Sequence, residues 1–275
     1  MRIARFHTGD GIIRVGLVGG DRVTEVTGAG GSVRALLPRL SSVRADGPSY
    51  DLADVVLAPP IDDPQKYLAI GMNYRAHAEE AARAGIPTPK HQLWFNKQVS
   101  CLAGPYDDIV RPAVSEQLDY EVELGVVIGR RCRNVRAGDA PSVVAGYLVA
   151  NDVSVRDWLM ARSPTFTLGK SFDTHGPIGP WLTTADEIPD PHRLGLRLTV
   201  NGDQRQQGRT DDMIHDIWAQ IAELTTVMTL MPGDILATGT PSGIGAPTGT
   251  WLRPGDVVRA EIDGLGALEN KVVAG

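Results

Sequence analysis

The stretch Gln117–Gly129, QLDYEVELGVVIG, alternates with a period of two. Leu118, Tyr120, Val122, Leu124, Val126 and Ile128 fall on one face of a strand, and Asp119, Glu121 and Glu123 on the other, because successive side chains point to opposite sides. Three carboxylates then line one face, with neighbours in the row roughly 6–7 Å apart at the backbone. Like charges at that spacing repel. Two arrangements tolerate them: a solvated face, or a divalent cation that the carboxylates share. Hard oxygen ligands of this kind suit Mg²⁺, Mn²⁺ or Ca²⁺ better than zinc.

The rest of the chain has to accommodate such a strand. Short β-type runs dominate, around Leu93–Asn96, Val143–Asn151, Gly195–Val200, Ile235–Ala237 and Val257–Ile262. Helical patterns are few and do not alternate with the strands, so a doubly wound sheet is not expected. One is alanine-rich, RAHAEEAARAG, with Gly85 placed to stop it. Another places Met213, Ile214, Ile217, Trp218, Ile221 and Leu224 at helical spacing, with Thr210 or Asp211 as its expected cap and Pro232-Gly233 as its end. The expected class is a mixed, β-rich α+β fold. A proline- and acid-rich linker, LAPPIDDPQK, divides a small β-rich unit, residues 1–62, from a larger unit, 63–275.

A net charge of −6 argues against nucleic acid or an anionic membrane as partner. No run of 18 apolar residues is present, and MRIARFHTGDG lacks the apolar core of a secretion signal. Two cysteines, Cys101 and Cys132, are too few for a disulfide framework. A cytoplasmic protein with reduced thiols is the expectation. Two nucleotide motifs fail on inspection. TLGKS lacks the first glycine of a P-loop, Pro164 standing there, and GTPSGIGAPTG lacks the third glycine of a dinucleotide fingerprint, with Thr248 in its place.

Other segments carry candidate chemistry. His77 and Glu80 are three apart, so on a helix they share a face, where the carboxylate orients the imidazole. Asp152 ends the apolar run GYLVAND, where a strand meets a loop. Lys170 lies in the Gly/Pro-rich FTLGKSFDTHGPIGP, and Thr240 opens a glycine loop in PGDILATGTPSGIG.

Taken together and in order from about Tyr67 to Asn270, the Glu-x-Glu strand, NDVSVRD, GKSF and TGTPSGIG resemble the fumarylacetoacetate hydrolase family. The resemblance implies a β-roll catalytic domain, usually dimeric, with Mg²⁺ or Mn²⁺ (Ca²⁺ being an admissible substitute in a crystal) held by Glu121, Glu123 and Asp152. Asp119 then stands outside the ligand set. It also implies a His–Glu pair on a lid helix at His77 and Glu80, a lysine beside the reacting carbonyl at Lys170, and a substrate-contacting threonine at Thr240. Arg75 and Arg156 are candidates for gripping a distal carboxylate. The implied activity is metal-dependent C–C hydrolysis of a small 2,4-dioxo acid, of acylpyruvate or fumarylpyruvate type, through an enolate that the cation stabilises. Oxaloacetate-type decarboxylation and 2-hydroxy-dienedioate isomerisation are sister reactions, and a site that binds metal without turnover is the non-enzyme alternative. One departure stands out. Seven residues after the metal aspartate, where several members carry glutamine, this chain has Leu159.

Overall fold

The computed structural model describes residues 1–159 and 161–275. Strands dominate and helices are few, in agreement with the mixed β-rich class. A 12-stranded sheet forms the frame. The N-terminal strands extend it directly: Arg2–His7 pairs antiparallel with Gly176–Thr184, joining Ile3 to Leu182. A second sheet of five strands packs beside it, with the strand Asp203–Arg209 at one edge.

Register explains why several distant segments meet. The strand Val122–Ile128 lies antiparallel to Val144–Asn151, with Val122 opposite Asn151. On its other side it is antiparallel to Ile235–Ala237, which runs parallel to Tyr67–Gly71. The start of the first strand and the ends of the other three therefore share one edge of the sheet. Glu121 and Glu123, Asp152, the loop from Thr238 and the helix entered after Gly71 all emerge there. Ligands settle at such carboxyl ends in open sheets, since loops rather than ladders line that crevice.

The alternation is legible in the packing. Leu118, Tyr120, Val122, Leu124, Val126 and Ile128 join one hydrophobic cluster and Val127 a second. The strand itself is not continuous. Leu118–Asp119 pairs with Ser154–Val155 in a separate two-stranded ladder, and the large sheet takes over only at Val122. The expected row of three acids is thus a pair plus an outlier. The second helical pattern also needs correction. Thr210–Asp212 forms a 3-10 turn, and the helix runs Ile217–Val227 behind Asp216, whose Oδ1 accepts the Ala219 N–H at 2.8 Å. Met213 and Ile214 lie before it. Met213 is buried at 4% exposure and Tyr74 bridges to it, so tertiary packing rather than helical repetition accounts for its apolar character. The alanine-rich helix spans Arg75–Arg83, and Gly85 follows with φ of 79°, the left-handed conformation expected of a stop. No helix among the described residues is long and apolar enough to cross a membrane.

Candidate metal centre and active site

Glu121, Glu123 and Asp152 each turn a carboxylate oxygen to a common point, all within 4.8 Å of one another. They are buried, at 6%, 1% and 0% exposure. Water therefore does not relieve their repulsion, and the solvated alternative fails. Protein cations relieve most of it. Lys170 Nζ donates to Glu121 Oε2 at 2.8 Å and to Asp152 Oδ2 at 2.7 Å. Arg156 donates from Nη2 to Glu121 Oε1 at 2.5 Å and from Nε to Asp119 Oδ2 at 2.8 Å. Lys97, itself fully enclosed, donates to Asp152 Oδ1 at 2.7 Å and to the Lys170 carbonyl. Burial works against charge on Glu121, but Lys170 and Arg156 outweigh it and hold its pKa at about 2. Burial likewise opposes charge on Lys170, and Asp152 and Glu121 reverse the balance, raising it.

Glu123 is the exception. Its Oε2 accepts the Gly239 N–H at 2.7 Å, but among the described residues no cation forms an ion pair with it. Burial, then Asp152 and Glu121, push its carboxyl well above the usual range. Of the four buried carboxyls, counting Asp119, three are paired with the buried Lys97 and Lys170 and the largely buried Arg156, and Glu123 alone has no counter-charge. A hard divalent cation fits this donor set: three convergent oxygens, one of them on an unpaired carboxylate.

His77 and Glu80 do share a face of the helix Arg75–Arg83, with Nδ1 and Oε2 3.1 Å apart. Glu80 Oε1 accepts the Gly243 N–H at 3.2 Å. Burial raises the Glu80 pKa, yet the bonds from His77 and Gly243 outweigh it and hold the group below its usual range. The glycine loop joins these groups. Gly239 N–H serves Glu123, Gly243 N–H serves Glu80, and the Gly245 and Ala246 N–H groups serve Asp119 at 2.7 and 3.0 Å. Asp119 is accordingly not solvated but fully buried, a tie between Arg156 and the loop.

The remaining candidates divide. Thr240 lies in the cluster, 3% exposed, its hydroxyl bonded to the Val122 carbonyl. Arg156 is there too, but its guanidinium is engaged by Asp119 and Glu121, so it orients a cluster carboxylate instead of reaching outward for a ligand. Arg75 stays on the surface, with a 59% exposed side chain 3.9 Å from Asp212. Leu159 is buried and packs on Gly169, where an added Cβ would come within 2.6 Å of it. Sequence reasoning missed Lys97. Its signal was the period of two in LWFNK, which sets Lys97 on the buried side with Phe95.

Comparison with known proteins shows the kinship of the chain. Residues 66–273 match the family described as Fumarylacetoacetate (FAA) hydrolase C-terminal, and residues 1–60 match one described as Rv2993c-like, N-terminal. A putative hydrolase of Burkholderia cenocepacia is 49% identical over 204 residues, 73% of this chain and 71% of its own. The mitochondrial oxaloacetate tautomerase fahd2 of Xenopus laevis is 46% identical over 224 residues, 80% of this chain and 69% of its own. Among solved structures, the fumarylacetoacetate hydrolase of Exiguobacterium antarcticum superposes with a TM-score of 0.90 at 34% identity, covering all of both chains. The maleylpyruvate hydrolase of Sphingobium sp. SYK-6, in complex with manganese(II) and pyruvate, does so with 0.81 at 35%, again over all of both chains. A 2-hydroxyhepta-2,4-diene-1,7-dioate isomerase of Mycobacterium marinum gives 0.83 at 34%, over 100% of this chain and 98% of that one. Fold, acid cluster and kinship converge: the chain belongs to the fumarylacetoacetate hydrolase family of enzymes.

Proposed function

We propose that this protein hydrolyses a C–C bond of a small 2,4-dioxo acid, of acylpyruvate or fumarylpyruvate type, with Mg²⁺ or Mn²⁺ held by Glu121, Glu123 and Asp152. The observation that carries the reading is the unpaired, buried Glu123 beside two carboxylates that are already paired. A divalent cation there supplies Lewis-acid polarisation of the chelating 2-oxo acid.

The chain's own groups do the rest. His77 gives its Nδ1 proton to the bond with Glu80, leaving Nε2 as the base that takes a proton from water. Glu80, fixed by Gly243, stabilises the imidazolium that results. Lys170 holds its ammonium beside the cluster, where it steadies negative charge developing on the attacked carbonyl oxygen. Thr240 contacts the substrate from the glycine loop. Arg156 keeps Glu121 in place. Arg75, on the rim, is the residue left to meet a distal carboxylate. We assign the protein to the cytoplasm as a homodimer of two-unit chains, divided near residue 62; a monomeric mass by light scattering would remove the dimer.

One observation favours a second reading. Leu159 places a buried alkyl group where the family resemblance implies an amide in several members. The second reading is a sister reaction on the same shell: double-bond migration in a 2-hydroxy-dienedioate, which needs only proton shuttling, tolerates the change best, and decarboxylation of oxaloacetate of the family's usual kind tolerates it less well. The test is a turnover panel with Mg²⁺ or Mn²⁺: an acylpyruvate, fumarylpyruvate, oxaloacetate and a 2-hydroxy-dienedioate, followed by mass spectrometry against an EDTA control. Metal-dependent C–C cleavage supports the first reading. CO₂ release or isomerisation alone replaces it with the second. Metal binding with silence on all four overturns both in favour of a site without turnover.

A further inference from the structure

Six of the seven residues of the edge strand Asp203–Arg209 are exposed or half-buried, and only Gln206 is enclosed, at 0% exposure. A buried amide survives only when its polar atoms are matched, and here all are. Gln206 Oε1 accepts the Val122 N–H at 2.9 Å, between Glu121 and Glu123. Its Nε2 donates to Thr240 Oγ1 at 2.8 Å and to the Pro241 carbonyl at 2.9 Å. Two glycines permit this approach: a Cβ on Gly208 would come within 2.5 Å of Pro241, and one on Gly243 within 2.1 Å of the Arg205 carbonyl. One side chain from the second sheet thus ties the acid strand to the glycine loop.

The bond pattern also determines what Thr240 can offer. Its hydroxyl accepts from Gln206 and gives its single proton to the Val122 carbonyl at 2.9 Å. No hydroxyl proton remains for a ligand. The Thr240 backbone N–H has no partner among the described residues, although the residue is only 3% exposed, while the Gly239 N–H just before it serves Glu123 and the Gly243 N–H three residues on serves Glu80.

We propose that Gln206 is a positioning residue: acting through Thr240 and Pro241, it holds the Thr240 amide as the donor that receives a substrate carboxylate at the acid cluster. This rests on the reading of the site as one for metal-chelating oxo acids. The test is calorimetric and independent of turnover. Mn²⁺ is titrated into the purified full-length protein, then oxalate into the Mn²⁺-loaded protein. Gln206→Met loses the amide donor to Thr240 and adds no charge beside the acid cluster. It is expected to leave Mn²⁺ affinity unchanged and weaken oxalate about five- to tenfold, the loss of one hydrogen bond. Thr240→Val is expected to do the same, and the double variant to be no weaker than either single, because both break one path. Gln206→Leu, equally uncharged, gives the same oxalate loss should the methionine variant fold poorly. Unchanged oxalate binding, additive losses, or a fall in Mn²⁺ affinity in step with oxalate each overturns the proposal. A wild-type protein that takes up no Mn²⁺ fails earlier and takes the site reading down with it.

Discussion

Arg156→Met separates the two jobs a buried cation does in this cluster, holding the fold and setting the charge that a metal meets. The guanidinium bridges Asp119 and Glu121 with its own side chain only 14% exposed. Removing one member of a buried, hydrogen-bonded ion pair costs about 3–5 kcal/mol, because the partner charge stays behind. Asp119 keeps three backbone N–H donors, from Tyr120, Gly245 and Ala246. Glu121 keeps Lys170. The lower half of that range is therefore expected without metal, a fall in melting temperature of roughly 6–12 °C for a chain of this size.

Mn²⁺ should act in the opposite direction. With every carboxyl ionised, as metal binding requires, the cluster carries one excess negative charge with Arg156 present and two without it. Repulsion between a dication and a guanidinium about 6 Å away is on the order of 5 kcal/mol at an effective dielectric near 20, an upper bound before relaxation. Against it stands the lost orientation of Glu121, about 1.5–3 kcal/mol for one charge-assisted hydrogen bond. Repulsion is the larger, so the variant binds Mn²⁺ at least about tenfold more tightly and recovers much of its lost melting temperature when metal is added. Paired melting curves and calorimetry measure both halves. A variant that loses stability and also binds Mn²⁺ more weakly would refute the charge argument and make Arg156 chiefly an orienting residue.

Three further outcomes are expected. Glu123→Gln removes the one cluster carboxylate without an ion pair while keeping an oxygen for Gly239, so the metal-free protein should melt no lower than wild type and Mn²⁺ should no longer stabilise it; a clear loss of metal-free stability would contradict this. His77→Ala should lower turnover by about 10²–10⁴ and leave Mn²⁺ affinity intact, and parallel loss of both would move His77 into the metal site. His175 is fully buried, with Nε2 donating to the Val110 carbonyl at 2.9 Å and Nδ1 unpartnered. Burial lowers its pKa from 6.5 to about 4. Between those values the unfolded chain binds the extra proton, so stability is full above pH 6.5 and falls as the pH drops towards 4, by roughly 3 kcal/mol in total. His175→Gln should flatten that part of the denaturant-measured pH profile, and an unchanged slope between pH 6.5 and 4.5 would sink the assignment.

How much of this was legible in the sequence follows from the range of each signal. Period-two alternation is local, and it correctly set Leu118 through Ile128 on one side and the acids on the other. The same locality made Asp119 look like a third member of the row, since nothing nearby announces the change of ladder at Tyr120 or the loop from residue 245 that claims Asp119. His77 and Glu80 were legible because their pairing lies within one helical turn. Lys97 and Gln206 were not, although both sit on strands whose alternation turns them inward. A lysine ending an apolar strand and a glutamine on a wet one read as surface residues until the partner is known, and the partners, Asp152 and Thr240, stand 55 and 34 residues away. The tolerance of three acids in so short a stretch thus has a cause that the stretch could not contain. Lysines and an arginine from three other segments neutralise all but one charge, and Glu123, the carboxylate they leave unpaired, is where a metal-binding chain has to keep its deficit.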